Sequence, residues 1–260
     1  MGYRGAIFDV DGVLVDSPHE RAWRETLQLL METDWREVQP ETTYTPERFA
    51  PAVYQEVVAG KPRLSGARAA LDYFGVPDAE SRAEEYAERK QRQVVELIEE
   101  GKFLAFPDAL RFLLAVKGLG ILVAAASSSK NAGLFLRQIR LDEFAAEQGL
   151  RYEFLEPGLT LQNVFDADVT GRDFPQGKPH PMIFLTAAEE LGVAPEACFV
   201  VEDATAGVQA AKAGTMAALG VARLEDEELL RRAGADLVVT KLDEVDLDAL
   251  AEGRLERRTR

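Results

Sequence analysis

The residues best suited to chemistry begin at Asp9. Phe8-Asp9-Val10-Asp11-Gly12 sets two carboxylates two residues apart where a short apolar run ends, with a glycine behind them to turn the chain. A carboxylate can attack phosphorus when a divalent cation offsets its repulsion from the phosphate. A second carboxylate nearby can carry the proton of the departing or entering hydroxyl. Three further polar groups follow apolar runs. Ala124-Ala125-Ala126 leads into Ser127-Ser128-Ser129-Lys130-Asn131, which offers hydroxyls and backbone N–H groups to phosphate oxygens. Lys178, ahead of Pro179-His180-Pro181, is a point charge on a stiff loop at a helix mouth. Val200-Val201-Glu202-Asp203 supplies adjacent carboxylates, the hard oxygen donors that Mg²⁺ takes. Each has a plainer reading: Asp11-Gly12 as a turn, Ser127 and Asp203 as helix caps, Lys178 as a loop lysine. His180 reads as a surface loop residue. Their shared position, each at or near the end of an expected strand, favours the chemical reading over coincidence.

The elements that must position these groups follow from the hydrophobic pattern. Short apolar runs at 5–10, 121–126, 198–201, 216–221 and 237–239 read as strands buried on both faces. Helical patterns lie between them at 108–117, 131–139, 181–191, 206–213 and 226–233. This alternation predicts an α/β fold, a Rossmann-like three-layer core with a central parallel sheet, in which ligands bind beyond the carboxyl ends of the strands. Residues 17–102 break the rhythm, with helical patterns at 21–31, 47–58, 65–74 and 83–99 and no buried strand. They read as an all-α domain inserted after the first strand, which leaves 1–16 and 103–260 as the core. The irregular stretch 146–164 is expected to form a hairpin or a small extra strand before 165–169. The charged tail 254–260 is expected to fray.

A net charge of −15 argues against nucleic acid or an anionic membrane as partner. It also requires that cations be concentrated locally if the substrate is a phosphate. No apolar stretch approaches the roughly 20 residues of a membrane span, and no signal peptide is evident. Cys198, the single cysteine, reads as a buried small residue. A cytoplasmic protein, monomeric or weakly dimeric, is expected.

With these four motifs in this order, the sequence resembles the haloacid dehalogenase superfamily, and the inserted helices match its cap domain. The resemblance covers essentially the whole chain. It implies that Asp9 is the nucleophile forming an aspartyl phosphate and Asp11 the general acid/base. It further implies that Ser127 binds the phosphoryl group and that Lys178 neutralises nucleophile and phosphate. Mg²⁺ would be held by Asp9, the Asp11 carbonyl and Asp203, with Glu202 in support. Within the superfamily the chain is most similar to the β-phosphoglucomutase branch. Gly60-Lys61-Pro62-Arg63 fits a cap loop whose arginine, here Arg63, grips a second phosphate. Ser129-Lys130-Asn131, beside Ser128, match the residues facing that phosphate, and Lys90 and His19 match cap residues near the substrate. His19-Glu20-Arg21-Ala22-Trp23 resembles the element entering the cap, and Trp23 also reads as a cap-helix core residue. Two departures concern the sugar pocket: His19 follows Asp16 more closely than in that branch, and 146–164 is longer.

The expectation is a Mg²⁺-dependent phosphatase acting on a small phosphorylated sugar, with a sugar phosphomutase as the alternative. A 2-haloacid dehalogenase would leave Asp11 and Glu202-Asp203 unexplained. Phosphonoacetaldehyde hydrolysis would need a Schiff-base lysine such as Lys61. A non-catalytic binding module would have no use for the intact set.

Overall fold

The structure, a computed structural model, describes residues 2–58, 61, 63–224 and 226–259, the side chain of Gln55 excepted. Gly60 and Pro62 of the expected cap loop, and Arg260 of the tail, lie outside the described residues. The chain divides into two compact units, one of residues 1–16 and 104–260, the other of residues 17–103.

In chain order the elements are β1 (Gly5–Phe8), β2 (Val15–Asp16), α1 (His19–Glu32), α2 (Pro51–Val57), α3 (Arg63–Tyr73), α4 (Ala79–Glu99), β3 (Leu104–Ala105) and α5 (Pro107–Gly118). There follow β4 (Leu122–Ala125), α6 (Ala132–Gln138), α7 (Leu141–Glu147), α8 (Leu161–Val164), β5 (Ala167–Asp168) and α9 (Met182–Leu191). The chain closes with β6 (Cys198–Glu202), α10 (Thr205–Ala213), β7 (Ala217–Val221), α11 (Glu227–Ala233), β8 (Leu237–Val239) and α12 (Leu247–Ala251).

Six strands form one parallel sheet in the order β5-β4-β1-β6-β7-β8. The chain leaves β1 for β4 on one side and later for β6 on the other, so β1 lies at a topological switch point, the place where open α/β sheets take their ligands. Successive β1 side chains face opposite ways. Ile7 joins a cluster with Ala124, Val200 and Ala218 of neighbouring strands, covered by Phe184 and Ala188 of α9 and Val208 of α10. Phe8 packs edge-on against Phe112 of α5, which also meets Phe199. Burial on both faces explains why these strands are unbroken apolar runs. Pro107 starts α5 without loss, because the first helical N–H has no partner within the helix.

Register aligns the strand ends. Phe8 pairs with Ala125 of β4 and Val201 of β6. The ladder continues one step, with Asp9 N donating to Val201 O (3.0 Å) and Ala126 N to Phe8 O (2.8 Å). Asp9, Ala126 and Glu202 therefore sit level at the carboxyl edge. A separate two-residue antiparallel pair joins β2 to β3, Val15 opposite Ala105 and Asp16 opposite Leu104.

The second unit is helical. α4 packs against both α1 and α3. α1 buries Ala22, Trp23, Thr26, Leu27, Leu30 and Met31, an apolar stripe at helical spacing. Its core is rich in rings: Trp23 meets Tyr86 edge-on, and Tyr44 and Phe49 both meet Phe74. The stretch 146–164 is irregular, as expected, and the small extra strand β5 follows it at Ala167–Asp168. The stretch forms turns and the short α8, and its strand-like pairing is one bridge between Arg140 and Thr160. Tyr152 and Phe154 stack there on each other, Tyr152 lies against Gly118 at the end of α5, and the segment is further held by Leu141 N to Leu159 O (2.9 Å), Leu161 N to Ile139 O (2.8 Å) and Gly158 N to Asp142 Oδ2 (2.8 Å).

The Tyr86 hydroxyl is buried and donates to the Trp23 carbonyl (2.7 Å). Tyr86→Phe leaves that acceptor with no donor from the ring. It should destabilise the helical unit by about 1–2 kcal/mol, read by urea unfolding followed through tryptophan fluorescence.

Candidate active site

The four motifs meet at the carboxyl edge of the sheet. Asp9, at the end of β1, is 5% exposed. Lys178 Nζ donates to Asp9 Oδ1 (2.6 Å) and to Glu202 Oε2 (2.7 Å) and lies 4.9 Å from the centre of the Phe184 ring. The Lys178-Pro179 peptide is cis. Glu202 uses its other oxygen, Oε1, to accept from Ala204 N (3.2 Å). Ser127, buried, donates from Oγ to Asp11 Oδ2 (3.3 Å) and accepts from Ser129 N (3.0 Å). The plainer cap reading does not hold at α10, where Ala204 is the N-cap and makes no side-chain cap bond. At α6 the N-cap is Asn131, again without a side-chain capping bond to the helix N–H groups.

Close packing explains two glycines. A Cβ on Gly12, whose φ is +85°, would fall 1.9 Å from Asp203 Oδ2. A Cβ on Gly207 in α10 would fall 2.0 Å from Glu202 Cδ. Both carboxylates are thus seated against backbone that cannot carry a side chain.

The electrostatics follow from crowding like charges. Burial raises the Asp9 carboxyl from 3.8 to about 7; Lys178 pulls it back, and Glu202 and Asp11 push it further up. Asp203 is raised well above the usual range by burial, then by Glu202 and Asp9. Burial works against the charge on Lys178, but Asp9 and Glu202 outweigh it and hold the ammonium above its ordinary value. One oxygen from each of Asp9, Glu202 and Asp203 lies within 4.8 Å of the others. Three carboxylates around a single lysine leave an excess of negative charge on hard oxygen donors. That donor set fits a divalent cation such as Mg²⁺. Since both Glu202 oxygens are already engaged, Glu202 positions Lys178 and the α10 turn, and Asp9 and Asp203 are the better donors.

The remaining predicted residues fall in both units and are described within each. Ser128 is exposed. Ser129 Oγ accepts from Asn131 N (3.3 Å), and Asn131 is buried. Lys130 points elsewhere: its Nζ donates to Gly171 O (2.8 Å) and Asp173 Oδ1 (2.6 Å). In the helical unit, Lys90 is 5% exposed, with Nζ 3.0 Å from His19 Nδ1 and 4.9 Å from the Trp23 ring centre. Arg63 opens α3 and is exposed, and Lys61 Nζ donates to the Val57 carbonyl. His180 accepts from Met182 N through Nδ1 (3.3 Å), a local contact at the start of α9. One residue, Arg223, escaped the sequence reading. Arg223, just beyond β7, bonds Asp108 at the start of α5 (2.9 Å) and reaches the Gly12 and Val13 carbonyls. The available signal was a charged residue directly after an apolar strand, the pattern that marked the other motifs.

This geometry defines a carboxylate centre at the edge of a parallel sheet, and the chain belongs to the haloacid dehalogenase-like hydrolases, whose family model matches residues 3–215. It is 34% identical to the β-phosphoglucomutase of Mycobacterium tuberculosis over 93% of this chain and 91% of that one. It is 31% identical to the phosphorylated carbohydrates phosphatase of Thermotoga maritima, over 95% and 97% respectively. The crystal structure of the archaeal β-phosphoglucomutase from Pyrococcus sp. strain ST 04 superposes with a TM-score of 0.66 at 30% identity, covering 95% of this chain and 96% of that one. Within the family the chain falls in the β-phosphoglucomutase-like branch. Among the described residues no helix is long and apolar enough to cross a membrane.

Carboxyls held above their unfolded values bind more protons in the folded state than in the unfolded one, so stability falls as pH rises through that window. For Asp9 the window runs from 3.8 to about 7. Chelator-treated protein should therefore show a melting temperature that declines over this range, and Asp9→Asn should flatten the decline. Added Mg²⁺ should raise the melting temperature most at the upper end. A melting temperature that climbs across the window in metal-free protein contradicts the charge assignment.

Proposed function

We propose that this enzyme transfers the phosphoryl group of a small phosphorylated sugar through Asp9, with Mg²⁺ as cofactor and water as the acceptor. The observation that carries this reading is Lys178 bridging Asp9 and Glu202, beside an Asp11 held by Ser127. When bound, Mg²⁺ supplies the positive charge that lets an ionised carboxylate approach a phosphate dianion; Asp9 and Asp203 would hold it, with Asp11 adjacent. Lys178 keeps Asp9 oriented, favours its ionised form against the effect of burial, and faces the incoming phosphoryl oxygens. Ser127 and the N–H groups of the 127–131 turn receive the remaining oxygens.

In the first half-reaction an Asp9 oxygen bonds to phosphorus as the bond from phosphorus to the sugar oxygen breaks. Asp11, protonated, gives its proton to that departing oxygen. In the second, Asp11 accepts a proton from the acceptor hydroxyl as it attacks phosphorus, and the Asp9–phosphorus bond breaks. Both carboxylates return to their starting states. Ser129, Asn131, Arg63, His19 and Lys90 are proposed to bind the sugar or its second phosphate. Ser128 and Lys130 have weaker support, because one is exposed and the other is paired with Asp173.

A second reading, a sugar phosphomutase, differs only in the acceptor, a sugar hydroxyl in place of water. It is favoured by the 34% identity to a β-phosphoglucomutase, as hydrolysis is by the 31% identity to a carbohydrate phosphatase.

Asp9→Asn should lower turnover by more than about 10³-fold, and chelation of Mg²⁺ should abolish it reversibly. The assay follows free phosphate and isomerised hexose phosphate together, from hexose 1- and 6-phosphates with a trace of bisphosphate. Free phosphate as main product supports the phosphatase. Isomerised sugar with little phosphate release supports the mutase. Full activity of Asp9→Asn refutes the nucleophile assignment.

A further inference from the structure

Asp11 sits in a turn that is tightly closed on itself. Gly12 N donates to Val15 O (2.8 Å), and Leu14 N and Val15 N both donate to Val10 O (2.9 and 3.0 Å). Phe106 N ties the turn to the chain entering α5 by donating to Leu14 O (2.9 Å). These bonds leave the carbonyls of Gly12 and Val13, the two residues directly after Asp11, for another donor. Arg223 supplies it, with Nη2 3.2 Å from Val13 O and Nε 3.4 Å from Gly12 O, the latter long for a hydrogen bond. The guanidinium is itself fixed on two further sides. Nη1 bonds Asp108 Oδ2 (2.9 Å), and the plane lies 4.0 Å from the centre of the Phe106 ring. Asp108 is buried, and the same Oδ2 accepts from Leu242 N (2.8 Å). A planar fork with several fixed donors suits this task; a lysine point charge does not.

We infer that Arg223 is a positioning residue for the proton-transfer step: by gripping the Gly12 and Val13 carbonyls it fixes the turn that sets the pose of the Asp11 carboxyl, and Asp108 in turn fixes Arg223. The inference rests on the assignment of Asp11 as acid/base in the proposed function. Arg223 does not touch the reacting atoms. Its effect should therefore appear only where the Asp11 proton matters.

Leaving-group chemistry isolates that step. The 4-nitrophenolate of 4-nitrophenyl phosphate departs without a proton, whereas the alkoxide of benzyl phosphate needs one. kcat/KM, measured with the full chain and saturating Mg²⁺, reports steps through departure of that first product. Arg223→Met should lower kcat/KM for benzyl phosphate roughly ten- to hundredfold, the scale of a small misplacement of a reacting group. The value for 4-nitrophenyl phosphate should change far less. Arg223→Lys should recover part of the loss. In an Asp11→Asn background Arg223→Met should cost nothing further, because residues acting through one another are not additive. If Arg223→Met fails to fold, Asp108→Asn, which keeps an acceptor for Leu242 N, should show the same selective loss in smaller measure. Equal losses on both phosphates, or an additive loss on top of Asp11→Asn, overturn the positioning role. If Asp11→Asn itself shows no leaving-group preference, the acid/base assignment fails and the inference falls with it, a result distinct from failure of Arg223 alone.

Discussion

Everything at the sheet edge depends on holding like charges together out of water. Asp9, Glu202 and Asp203 converge, with Lys178 bridging Asp9 and Glu202. Burying an ion without compensation is costly, and a single lysine cannot compensate three carboxylates. The strands around β1 bear that cost: their apolar faces lock Phe8, Ala125 and Val201 level, and the polar residues that follow have no freedom to separate. The crowding is what makes the site receptive. A cluster stable on its own would have little to gain from a cation or a phosphate.

Backbone does as much of this work as side chains. Gly12 and Gly207 admit Asp203 and Glu202 to positions a Cβ would occupy. The result is a set of carboxylates whose orientation is fixed by packing on both sides, the condition for charge stabilisation without reorganisation during reaction. Lys178 is held by two carboxylates and a ring, so its ammonium is placed and not merely nearby.

Much of the core was legible in the sequence because its strands are buried on both faces and leave continuous apolar runs; the strands beginning at Gly5 and Cys198 and the one spanning Leu237–Val239 are where those runs stand. The 127–131 hydroxyls, Lys178 and Glu202-Asp203 were visible for the same reason, as polar residues where such runs stop. The internal order of 146–164 was not legible, because it rests on contacts without periodicity, Tyr152 and Phe154 stacking beside Gly118 and scattered hydrogen bonds to 139–142. The pairing of Lys130 with Asp173 was not legible, because Asp173 lies far along the chain and carries no local signal. Arg223 escaped because its meaning lies in carbonyls near the other end of the chain, at Gly12 and Val13.

The small ladder between β2 and β3 has a consequence for ancestry. Asp16 and Leu104, the last core residue before the helical unit and the first after it, are direct partners across that ladder. Topologically, the whole helical unit occupies the place of a hairpin loop. The entropic cost of closing a loop grows only slowly with its length, so the sheet is nearly indifferent to what is threaded through this gap. Such a gate allows one catalytic chassis to exchange its insert for a shorter or unrelated one while the carboxylate cluster stays as it is. Diversity of substrates could then accumulate in the insert, under selection separate from that acting on the chemistry.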